Sequence, residues 1–126
     1  MKFIEEVVVD EFLPTYRSML AADLRDRGFT QSEVAQALGI SQSAVSKYAH
    51  GDVARNDAIL DDDRVQELVG TVGEGLAAGD MSPVQALVEA EVLIRRIERG
   101  DLLATIHRDE VPELAEYGSD FAIHDP

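Results

Sequence analysis

Gln42, Ser43, Ser46 and Lys47 fall within six residues of one another, and each carries a hydrogen-bonding group. On the exposed side of a helix their chemistry is the reading of polar edges, not the making or breaking of covalent bonds. A Gln amide sets a donor beside an acceptor, the complement of an adenine edge. A Lys ammonium donates to guanine O6 or N7, and a Ser hydroxyl serves either partner. Elsewhere the chain offers little to a catalyst. It has three His and no Cys, which removes disulfides, thiolate zinc sites and Cys nucleophiles, and no Ser/His/Asp arrangement can be defended. His107, Arg108, Asp109 and Glu110 with Glu113 form a cluster of a kind that acidic surfaces produce routinely. Asp61, Asp62 and Asp63 lack the alternating ligands and the Gly of a calcium loop. The glycines at 70, 73 and 75 do not follow dinucleotide or phosphate-loop spacing, and a flexible helix is expected there. No catalytic residue, metal or cofactor is expected.

The elements that must position those four side chains are written into residues 28–51. Gly28 ends a preceding helix. Thr30-Gln31-Ser32-Glu33 is a capping box, the Thr30 hydroxyl accepting from the Glu33 amide and the Glu33 side chain reaching back. A short helix is predicted to Leu38, with Gly39 at a tight turn where φ > 0 costs nothing. Ser41 caps a second helix that runs to about His50 and stops at Gly51. Two eight-residue helices that cross need a small residue where their backbones approach, here Ala35. They need apolar residues in the wedge, here Val34, Leu38, Ile40, Val45 and Tyr48. The positions left facing outward are the hydrogen-bonding ones, placed to reach base edges in a major groove.

This stretch, from Thr30 to Tyr48, closely resembles the lambda-repressor-like (XRE-type) helix-turn-helix family. The resemblance covers about residues 13–65. It implies that Gln42, Ser43, Ser46 and Lys47 contact bases, and that Gln31, Ser41, His50 and Arg55 contact the DNA backbone. Val34, Ala35, Leu38, Gly39, Ile40, Val45 and Tyr48 would form the motif core. More narrowly, Glu6-Val7-Val8-Val9 with Leu13-Pro14 and Arg17 resembles a group of archaeal regulators. Many of these carry a C-terminal thiamine-phosphate synthase-like domain, for which 126 residues leave no room, so thiamine sensing is not expected to transfer.

The rest of the chain reads as helical packing. Residues 3–13 mix strand-forming valines with helical spacing, and helix is favoured. Pro14 suits the first turn of the next helix, which carries Tyr16, Met19, Leu20 and Leu24 on one face. Arg17, Arg25 and Arg27 are assigned to i,i+4 pairing or solubility. Residues 52–62 read as a polar connection. Val65, Leu68, Val69, Val72 and Leu76 then repeat at helical spacing, in a helix that Gly70, Gly73, Gly75 and Gly79 weaken. After the Ser82-Pro83 start, Leu87, Ala90, Ile94 and Ile97 form one stripe, and Val88 and Val92 form a second. A face this broad predicts contact with the chain's own core on one side and a partner on the other. Leu102, Leu103, Ile106, Val111 and Leu114 predict further short turns.

Charge adds a constraint. The net charge is −14, and only two of the eleven basic residues, Lys2 and Lys47, are Lys. That balance points to adaptation to molar intracellular salt, since at about 1 M salt the Debye length is only about 3 Å and self-repulsion is screened; the resemblance above implies an archaeal source, and a cytoplasmic location is expected. The acidic decoration spares residues 28–51, which hold only Glu33 and Lys47 among charged side chains. A surface that approaches phosphate is spared in this way. The expected architecture is therefore all-α, a lambda-repressor-like helix-turn-helix bundle with a C-terminal helical extension. Residues 1–60 would bind DNA through a motif at 31–50, 61–118 would extend and dimerise, and 119–126 would be a loose tail. The expected partners are double-stranded DNA and a second copy of the chain, with no membrane and an unknown effector. The expected function is transcription regulation. The alternative is an antitoxin-like or other protein-interaction module that retains the motif.

Overall fold

The computed structural model describes residues 2–50, Val53 and residues 55–117; the expected stop at Gly51 and the tail over 119–126 lie outside them. All regular structure among the described residues is helical. The chain opens with α1 (Ile4–Val7), a π-helical turn (Val8–Phe12) and α2 (Leu13–Asp26). The valine run is thus helical: Val7 and Val8 are buried and Val9 faces out. The π turn has a local cause. Pro14 has no N–H to give the carbonyl four residues back, and its ring crowds that carbonyl. Widening the coil just upstream relieves the conflict, and the Leu13 amide bonds five residues back to the Val8 carbonyl. Phe12 and Tyr16, one turn apart, stack at 5.6 Å between ring centres.

Helices α3 (Gln31–Leu38) and α4 (Gln42–Ala49) follow. The polar connection after them contains a helix that periodicity could not reveal, α5 (Asp57–Leu60), one turn long. Its N-cap is Asn56, whose side-chain oxygen accepts from the Ala58 and Ile59 amides at 3.0 and 3.3 Å. The Asn56 amide itself donates to the buried Thr15 hydroxyl at 2.9 Å, and Ile59 is fully buried, so this turn is pinned to α2. The aspartate run serves as a cap. Asp62 accepts from the Arg64 and Val65 amides and opens α6 (Asp63–Ala78).

Helix α6 packs along α2, and Gly73 is there for contact. A Cβ on Gly73 would overlap the Asp23 carboxylate and sit 3.0 Å from Arg27 Nε. Asp23 and Arg27 pair at 2.7 Å across that glycine, and the Arg27 guanidinium also donates to the Gly70 carbonyl at 3.4 Å. Gly73, read from the sequence only as a weak point of the helix, is also a point of close contact. Gly79, with φ 76°, ends the helix instead of loosening its interior.

After Gly79 come α7 (Pro83–Arg99), α8 (Asp101–Glu110) and a 3-10 turn (Pro112–Tyr117). Ser82 and Gln85 form a full capping box at the start of α7. Its buried stripe is Ala86, Ala90, Leu93 and Ile97. Leu87, grouped from the sequence in one stripe with Ala90 and Ile97, is 60% exposed, and Val84, Val88 and Val92 are exposed with it. The register is set by the small Ala86 and Ala90, which allow α7 to lie close to the bundle, and this turns Leu87 outward. One cluster of buried residues runs continuously from Val7 to Ile106. The N-terminus is tied to α8 by Lys2, which pairs with Glu110 at 2.6 Å and Asp10 at 3.1 Å, and by His107 Nε2, which donates to the Lys2 carbonyl at 2.6 Å.

Candidate nucleic-acid interface

The turn between α2 and α3 is built first. Gly28 takes φ 99°, and the Arg25 guanidinium donates to the Phe29 carbonyl at 2.8 Å, which holds the chain as it reverses. Thr30 then starts α3. Its hydroxyl accepts from the Glu33 amide at 3.1 Å, and the Glu33 carboxylate accepts from the Thr30 amide at 2.9 Å. These bonds hold the Glu33 carboxyl below its ordinary range. The motif's only acid is therefore committed to a cap.

The crossing of α3 and α4 follows the expected division of labour. Val34 and Val45 are fully buried and Ala35 nearly so. Leu38, Ile40 and Tyr48 are half-buried and pack on the same cluster. Gly39 sits at φ 66° with its amide bonded to the Ala35 carbonyl, and it is exposed at the turn. Ser41 starts α4, its hydroxyl oxygen accepting from the Ala44 amide at 3.1 Å.

With Val45 held inside, the opposite face of α4 is presented to solvent. Gln42, Ser43 and Lys47 are exposed together, and Lys47 makes no ion pair among the described residues. Ser46 and His50 are brought to each other. Ser46 is half-buried, its hydroxyl lies 3.3 Å from His50 Nδ1, and the ring nitrogen donates to the Ser46 carbonyl at 2.7 Å. His50 thus closes the C-terminal end of α4, and Ser46 is less available than its neighbours. Gln31 is half-buried at the first position of α3, and Arg55 is exposed just ahead of the anchored Asn56. His107, singled out with the acidic cluster, is buried against the N-terminus, far from α4 in the chain and engaged in structure.

Reading the sequence alone missed Asn56 and Thr15, which fix where the segment after α4 returns to the bundle, because their bond spans 41 residues. A hydrogen-bonding Asn ahead of Asp57 was the available signal.

Residues 20–60 match the family model described as "Helix-turn-helix", about a third of the chain, centred on α3 and α4. No curated protein and no solved structure matches the chain. Together the match and the helices define the class: an all-α, lambda-repressor-like helix-turn-helix fold. No helix among the described residues is long and apolar enough to cross a membrane.

Proposed function

We propose that this protein is a sequence-specific DNA-binding transcriptional regulator that reads the major groove with α4 and works as a homodimer. One observation carries the reading. Val45 is anchored at zero exposure while Gln42, Ser43 and Lys47 stand together on the open side of the same short helix. Gln42 would pair with an adenine edge and Lys47 with a guanine edge, with Ser43 and Ser46 beside them. Gln31, Ser41, His50 and Arg55 would meet backbone phosphates and set the register. Residues 1–60 carry this reader. Residues 61–118 complete its core and supply, through α7, the face that pairs two copies and sets their readers about 34 Å apart. The low Lys content and the −14 charge support a salt-rich setting. There the counterion-release term shrinks and base contacts must supply more of the affinity.

The test is selection from a random DNA pool in about 2 M KCl, where exposed charges are screened, with a Gln42→Ala/Lys47→Ala variant in parallel. A palindromic motif that the variant fails to enrich is the expected result. Absence of any enriched motif from folded protein would remove the proposal. The exposed Val84, Leu87 and Val88 on α7 favour a second reading, a protein-interaction module that keeps the motif. Capture of a stoichiometric heterologous partner, with no DNA enrichment, would select it.

A further inference from the structure

Beside the motif lies an apolar groove of about 370 Å³, walled by α2, the end of α3 with its turn glycine, and α7. That volume is within the roughly 300–1,000 Å³ typical of small-molecule sites. One polar group at its wall is unaccounted for by the fold. Arg17 is half-buried and makes no ion pair or hydrogen bond among the described residues, whereas Arg27, Arg64 and Arg95 each reach a carboxylate. A cation left over in so acidic a chain calls for an anion from elsewhere. On the opposite wall Glu91 is drawn towards Arg95, 3.9 Å away.

We infer that this groove binds an amphipathic carboxylic acid, aromatic or medium-chain, with its carboxylate on Arg17 and its apolar body along Leu13, Leu20, Leu76 and Ile94. Gln36, Ala37, Leu38 and Gly39 also line the groove. The ligand therefore touches the turn that sets the crossing of α3 and α4, and occupancy shifts DNA affinity by whatever difference in ligand affinity exists between the two arrangements. This last step rests on the function proposed above; the binding site does not.

The experiment titrates the whole chain with anilinonaphthalene sulfonate, an apolar body bearing an anion, and with its neutral analogue N-phenyl-1-naphthylamine. Decanoate and indole-3-acetate are the competitors. Saturable binding of one sulfonate per chain, displaced by either carboxylate, is expected. Arg17→Gln weakens the acids by roughly tenfold or more and leaves the neutral probe unchanged, because only a charge-assisted bond is lost. Arg17 lies on α2 and shares the groove with Val84 and Leu87 of the exposed face of α7. Equal binding of charged and neutral probes, indifference to Arg17→Gln, or no saturation overturns the inference. So does an apparent Kd that rises with protein concentration, which assigns the groove to a second copy. DNA affinity measured with saturating decanoate tests the coupling: no change overturns it, whereas failure to bind DNA at all counts against the proposed function and leaves the groove standing.

Discussion

Gly70 and Gly73 sit one helical turn apart in α6 and face different surroundings. Nothing lies within 4 Å of where a Cβ on Gly70 would be, whereas on Gly73 it would overlap Asp23. Gly70→Ala should therefore stabilise the protein by about 0.5–1 kcal/mol, through helix propensity and a less flexible unfolded chain. Gly73→Ala should cost about 1–3 kcal/mol, because it overpacks the α2 crossing and displaces the Asp23–Arg27 pair. Denaturant unfolding of both variants checks this, and equal effects at the two positions would sink the account. Ionisation carries a second prediction. Burial, and then the neighbouring Glu110, hold the Glu11 carboxyl above its ordinary 4.5, while Lys2 holds Glu110 below it. A raised carboxyl favours the folded state where it is protonated, and that contribution is lost as pH rises past 4.5. Glu33 and Asp62 are lowered by their capping bonds and, for Asp62, by Arg64. Their contribution is present above their ordinary values and is lost as pH falls. Glu11→Gln should accordingly raise the melting temperature at pH 7 and leave it little changed near pH 3–4, where Glu11 is already neutral. A gain of equal size at both pH values would contradict the assignment.

Among the elements, α7 has one face too many. Ala86, Ala90, Leu93 and Ile97 are buried against the bundle, and Val84, Leu87, Val88 and Val92 are exposed on the other side. Helical spacing in the sequence predicted two apolar faces, but it placed Leu87 on the wrong one, because the alanine contacts that set the rotation of α7 are made with other elements. An exposed apolar face of this kind would serve the proposed two-fold pairing of copies. Light scattering should find a dimer, and Val88→Lys should give a monomer whose own stability is within about 0.5 kcal/mol of the parent, as for an exposed position. A parent chain that is already monomeric at high concentration would remove α7 as the pairing face.

At the scale of the whole molecule, charge dominates. A net charge of −14 on 126 residues opposes compaction at low salt. Raising KCl from about 0.1 M to about 1 M shortens the Debye length from about 10 to about 3 Å. The melting temperature should climb across that range; a flat or falling profile would refute the salt-adapted reading. The stretch at 28–51, neutral within this acidity, would keep α4 from repelling phosphate in the proposed DNA-binding role.

Local rules of sequence determined the helix-turn-helix outright. The capping residues Thr30 and Ser41, the left-handed Gly28 and Gly39, and the alternation of Val34, Val45 and outward polar side chains all act within one or two turns. Their physics is complete once neighbours in the chain are known. Only tertiary structure decided the rest. The purpose of Gly73 lies in α2, fifty residues away. Asn56 makes sense against Thr15, and the groove beside Arg17 exists because α7 returns to flank α2. Each of these depends on a contact between segments distant in the chain, and such contacts leave no period in a sequence.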